Sequence, residues 1–380
     1  MFTTEVKNNK SSSTKSFYLT LQILGFAFSL LFTTSCNQKG YNKIPQKPSE
    51  TSPQANNPEF APFPDYTEKT KKHATFNGKV SEFIWQIYQD KNAHYWFGTN
   101  HDGILFYDNN SLKHYTSKDG IGGNAVRAIL EDQEGNIWFG TSNGLTNYNG
   151  NIFKNYTVAD GLIDNEIWSI TIDRNGLIWI GTVGGVSTFN GKTFKTFEVP
   201  KPQIYNAEPM LSQNRVSDIL IDKDNEIWFV NDGYGVTKYN GHTFEFYSKD
   251  NGLTDNSVAD LFEDSNGTIW IGTYYGGVST YDGNDFTNFT EKGVIKGIET
   301  YNFFEDKKGN IWFSAENQGV YSYNGNEFKL YNMADGLATN GIQSIFQDHK
   351  GQMWFSTWDG LSLFDGNQIV NASEREPWTD

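Results

Sequence analysis

DSNGTIWIGT at 264–273 returns, with small changes, seven times along the 380-residue chain. Its aspartate falls at Asp90, Asp132, Asp173, Asp222, Asp264, Asp306 and Asp348. Six residues after each stands a tryptophan: Trp96, Trp138, Trp179, Trp228, Trp270, Trp312 and Trp354. Successive tryptophans are 42, 41, 49, 42, 42 and 42 residues apart. A period near 42, built of short β-type runs, predicts an all-β chain folded as a seven-bladed β-propeller with four antiparallel strands per blade.

Each repeat divides into strands a to d by period-two patterning and turn chemistry. Strand a is a run such as Val216–Ile221, closed by the repeat's aspartate. The a–b turn reads Asp-x-x-Gly in five repeats, where the carboxylate accepts turn amides and glycine takes a left-handed conformation. Asn225 replaces that glycine in blade four, and Ala93 in blade one, which predicts a looser turn there. Strand b is Ile-Trp-Phe/Ile-Gly-Thr, apolar on both faces because blades stack face to face. Strand c starts at Gly103, Gly144, Gly185, Gly235, Gly277, Gly319 and Gly360, and an aromatic follows each by four residues. Asn-Gly or Asp-Gly then marks a hairpin into strand d in six repeats.

Around this core the segments differ in kind. Lys7, Lys10 and Lys15 precede an apolar run from Phe17 to Phe32, then Thr33-Thr34-Ser35-Cys36. That order describes an export signal over 1–35 with an ending like a bacterial lipobox, and Cys36 as the lipid-bearing residue. Asn37 follows the cysteine, which favours the outer membrane as the place of anchoring. Residues 36–72 carry six of the chain's ten prolines and read as an extended tether. The propeller is expected over 73–372 and a tail over 373–380; Phe76-Asn77-Gly78 resembles part of another hairpin with no assigned place. With Cys36 as the only cysteine, no disulfide framework is open to the monomer. A formal net charge of −15 argues against nucleic-acid partners.

The D-x-x-G-x-I-W-F/I-G-T phrase, the G-V/L-x-x-Y/F-N/D-G phrase and linkers such as Asp160-Gly161-Leu162 and Asp335-Gly336-Leu337 resemble the two-component regulator propeller repeat. The resemblance covers roughly 83–372 and implies a periplasmic sensory role. Such sensors carry about twice as many repeats, a β-sandwich, a membrane span and a histidine kinase; none follows in this sequence, so signalling through a kinase in the same polypeptide is not expected. A looser similarity is to the seven-bladed lyase that opens streptogramin antibiotics.

Since folding explains the shared residues, function is expected where the repeats differ. The a–b and c–d turns are short and uniform, whereas the b–c and d–a connections, which open on the opposite end, vary. Aligning the repeats at the second residue of strand a gives Trp85, Arg127, Trp168, Ser217, Ala259, Tyr301 and Gln343, a ring expected around the channel mouth. The b–c loops add Asn100, His101 and Asp102, then Asp232 and Tyr234, Tyr274 and Tyr275, Glu316, Trp358 and Asp359. The 49-residue step leaves an insertion, Pro200–Gln213, expected to stand over the same rim. Aromatic rings beside carboxylates and amides suit a carbohydrate or a peptide. An envelope-protein scaffold is the second reading, and a metal-dependent lyase or hydrolase using His101 and Glu316 the third. The turn aspartates lack the further ligands of a calcium loop, so no metal site is predicted, although an acidic surface is compatible with a divalent cation. A monomer touching membrane only through its lipid is expected.

Overall fold

The computed structural model describes residues 83–358 and 360–372. Export signal, Cys36, tether, Phe76-Asn77-Gly78, Asp359 and the tail lie outside the described residues. Within them, 28 strands form seven four-stranded antiparallel sheets, each made of four consecutive strands. Each innermost strand packs on the next all the way round, and strand a of blade seven (Ile342–Gln347) meets that of blade one (Ile84–Gln89). The seven-bladed propeller is therefore closed. Its last blade takes strand d from Ile369–Asn371.

The repeat's aspartate does more than cap a turn. Asp264 Oδ1 accepts the backbone N–H groups of Asn266 and Thr268 at 2.9 Å, while Oδ2 accepts the indole N–H of Trp270 at 2.9 Å. The six-residue spacing is thus a hydrogen bond that orients a tryptophan buried between blades. Six blades make it; in blade three the Trp179 Nε1 has no hydrogen-bond partner. The strand-b threonine is equally structural. Thr99, Thr141, Thr182, Thr273 and Thr357 each donate to the carbonyl of the glycine that begins strand c. The strand-b glycine admits the neighbouring blade: a Cβ on Gly272 would lie 2.2 Å from Thr300 O.

Blade one corrects the expectation of a loose turn. Ala93 adopts φ 63°, and the turn keeps Ala93 N to Asp90 O at 2.8 Å and Asp90 N to His94 O at 2.9 Å. Asp90 holds Asn92 N, His94 N and the Trp96 indole, and together these contacts outweigh the strain of a left-handed alanine. Ala93→Gly should consequently raise stability by about 0.5–1 kcal/mol, read as a higher urea midpoint; an unchanged or lower midpoint would contradict the strained turn.

Four linkers form capped single turns of 3-10 helix, Ser117–Asp119, Val158–Asp160, Lys249–Asn251 and Met333–Asp335. In each, the residue before the turn and its third residue cap each other reciprocally. The Asp-Gly-Leu signature at 160–162 and 335–337 is this capped turn, and the leucine (Leu162, Leu337) is buried under the next blade.

Candidate functional site

Strand a carries a β-bulge just after its first residue in six of seven blades, and the skipped residue is Trp85, Arg127, Trp168, Ser217, Ala259 or Gln343. Blade six pairs Tyr301 with Ser314 and shifts its irregularity to the next residues, where Asn302 takes φ 60°. Bulges re-aim side chains, so the seven aligned positions break the sheet pattern at one end of the ring. A second regularity fixes their neighbours. The residue preceding strand a accepts, through its carbonyl, the N–H of the first b–c loop residue: Asn100 on Phe83, Ser142 on Ala125, Val183 on Glu166, Asp232 on Arg215, Tyr274 on Ser257, Glu316 on Glu299 and Trp358 on Gly341. Each blade thereby brings three residues to one rim. This places Trp85 and Trp168 at the same end, both half-buried.

At the ring's closure the rim is aromatic. Phe83 lies 5.6 Å from Trp85 and 5.9 Å from Trp358, and the Trp85 indole donates to Asn100 Oδ1 at 2.9 Å. The exposed His101 has a ring nitrogen 3.1 Å from Asn100 Nδ2, and Asp102 is half-buried with its amide on Thr99. His101 and Glu316 stand in blades one and six, and no hydrogen bond or ion pair joins them.

Blades two to four are cationic. The guanidinium groups of Arg127 and Arg215 lie 4.4 and 4.6 Å from the Trp168 ring centroid, so this indole is engaged by cations rather than left as a bare platform. Arg127 also pairs with Glu166 at 3.0 Å, and Arg215, almost fully buried, with Asp232 at 3.1 Å. Asp232 is itself buried. Its carboxylate accepts the amides of Met210, Leu211 and Ser212, tying the 200–213 insertion down onto blade four's b–c loop. Tyr205 in that insertion stands 92% exposed. Tyr234 is half-buried beneath Lys201, whose ammonium is 5.3 Å from its ring.

Blade six is acidic, and blade five contributes tyrosines beside it. Burial, and then the charge of Glu316, push the Glu299 carboxyl up to about 7. Burial, followed by the charge of Glu299, raises the Tyr301 phenol. Burial raises the Tyr274 phenol, which also feels the opposing charges of Arg215 and Glu299. Tyr275 is exposed beside it, ring centroids 6.4 Å apart. Gln343 is buried.

Arg215, Glu166 and Glu299 were not singled out in the sequence. All three precede strand a by one residue, a column reading Phe83, Ala125, Glu166, Arg215, Ser257, Glu299, Gly341. Its irregularity is as visible as that of the column one step inside.

Among the described residues no group of three or more His, Cys, Asp or Glu side chains is placed to hold a metal ion. None of their helices is long and apolar enough to cross a membrane.

A family model described as "Two component regulator propeller" matches residues 120–143, 161–184, 252–275 and 336–359. The chain carries two-component regulator propeller repeats. Solved structures agree on the fold of this regulator propeller. A streptogramin B lyase shares 16% identity over 75% of this chain and 95% of that one, with TM-score 0.60. Virginiamycin B lyase from Staphylococcus aureus shares 15% over 76% and 96%, TM-score 0.58. The extracellular domain of a one-component system from B. thetaiotaomicron shares 22% identity over 76% of this chain and 43% of that one, with TM-score 0.47. No curated relative matches the chain.

Proposed function

We propose that the regulator propeller is an exported, lipid-anchored ligand-binding or sensory module of the cell envelope, and that it recognises a carbohydrate or a peptide on the rim formed by the b–c and d–a connections. One observation carries this reading: the bulge position, fixed in geometry by the sheet, holds Trp, Arg, Trp, Ser, Ala, Tyr and Gln in successive blades. A position with no folding reason to be aromatic or charged, repeated on a rigid ring, suits recognition. Cys36 would carry the anchor and 36–72 would hold the ring clear of lipid, with outer-membrane attachment following from Asn37.

A thermal-shift screen of the full chain against soluble glycans and short peptides tests the reading. At a ligand concentration near 100 times the dissociation constant, binding adds about 2.7 kcal/mol of apparent stability. The shift should vanish in the double variant Trp85→Ala, Tyr275→Ala while its ligand-free melting temperature stays within a few degrees. A shift that survives in this variant would remove the rim as the binding face.

A further inference from the structure

The rim's charge is not mixed at random. Arg127, Arg215 and Lys201 occupy blades two to four, whereas Glu299 and Glu316 stand side by side in blade six without a basic partner. Tyr274, in the b–c loop of blade five, is within electrostatic reach of both Arg215 and Glu299. Both charge centres therefore border the same mouth of the ring.

Each half is also chemically incomplete. On the basic half, buried donors lack acceptors: the Nε of Arg127 and the indole Nε1 of Trp168 have no hydrogen-bond partner, and the Nε of Arg215, only 2% exposed, faces Asp232 without hydrogen-bond geometry. Buried N–H groups without acceptors are rare and costly. An incoming carboxylate with two acceptor oxygens would complete the Arg127 fork, the one guanidinium of the pair that is partly open to the mouth. On the acidic half, two adjacent carboxyls repel each other, and Glu316 is exposed. An ammonium between them would remove the repulsion, and the exposed face of Tyr275 would add a cation–π contact.

We infer that the mouth takes a zwitterionic ligand, a short peptide with free termini, whose carboxylate meets Arg127 beside Trp168 and whose ammonium meets Glu299 and Glu316. This rests on the rim being the binding face and narrows its ligand from carbohydrate or peptide to peptide.

Titration calorimetry of the full chain with trialanine, its N-acetyl form, its C-terminal amide and maltotriose tests the inference. Trialanine should bind, each single cap should weaken binding at least tenfold, and maltotriose should not bind. Glu316→Gln, an exposed change that leaves folding intact, should weaken trialanine at least fivefold and leave the N-acetyl form unaffected. Arg127→Met should weaken trialanine and spare the amide. Equal binding of free and capped peptides, or no binding by trialanine, overturns the inference. If maltotriose binds instead and loses affinity in Trp85→Ala, the zwitterion is wrong but the rim stands; if none of these ligands responds to Trp85→Ala or Glu316→Gln, both fall.

Discussion

Asp264→Ala should destabilise the propeller by roughly 3–4 kcal/mol, because it removes two turn hydrogen bonds and leaves the buried Trp270 indole N–H without an acceptor. Blade three supplies the control. Asp173 accepts only Asn175 N and Leu177 N, at 2.8 and 3.0 Å, and Trp179 already lacks a partner. Asp173→Ala should therefore cost only about 1–2 kcal/mol, the ordinary loss of a turn cap. Urea unfolding of both variants gives the comparison. Equal losses would mean that the aspartate–tryptophan bond contributes nothing and that the repeat spacing has another cause.

The second large effect is a pH dependence with an unusual direction. Innermost strands carry side chains that reach the next blade's strand a: Gln86 accepts Ile129 N, Ser169 accepts Ile219 N, Asp218 accepts Leu261 N, Asp260 accepts Phe303 N and Ser344 accepts Ile87 N. In blades four and five these side chains are carboxyls hydrogen-bonded to each other. Burial, then the charge of Asp218, push Asp260 up to about 8; burial raises Asp218 as well. The buried pair therefore holds a proton between its two carboxyls. An aspartate in the unfolded chain titrates near 4, so between about pH 4 and 8 the folded state holds more protons than the unfolded one. The stability contributed by this pair is fully present below about pH 4, and is lost as pH rises towards 8, with a slope of up to about 1.4 kcal/mol per pH unit. Asp260→Asn keeps an acceptor for Phe303 N and a donor for Asp218 without a charge. It should match the parent near pH 5 and exceed it by on the order of 2–4 kcal/mol at pH 8. Chemical unfolding at the two pH values decides; parallel pH profiles for parent and variant would show that the pair is not sharing a proton.

Much of the fold was legible because a closed ring of blades must repeat its own solutions. Trp270, Gly272 and Thr273 each answer one recurrent demand: filling the space between blades, admitting a neighbouring backbone, and closing the b–c loop. The pattern therefore shows in the spacing alone. Ala93 was misread because residue type was weighed without tertiary context, which holds the turn despite the strain. The bulges were not legible, since a skipped residue leaves no mark in an alternating pattern until the pairing register is known. The ring position could be aligned, but its surroundings could not. Trp168 proved to be covered by two arginines, one of which, Arg215, lies within the 49-residue step, just after the insertion. Asp232 proved to be the anchor of the insertion rather than an open acid. Such contacts join one blade to the next or a loop to its own blade, and local periodicity carries no information about them.

The central claim is that the repeat builds the frame and that recognition occurs only where one rim departs from it. Amide hydrogen exchange of the full chain, with and without a ligand found by the thermal-shift screen, tests it most directly. Protection is predicted in peptides covering 83–86, 99–103, 273–276, 298–302 and 315–318, with the a–b turns at Asp90, Asp132 and Asp264 unchanged. Protection centred on those turns, at the opposite end of the ring, would contradict it.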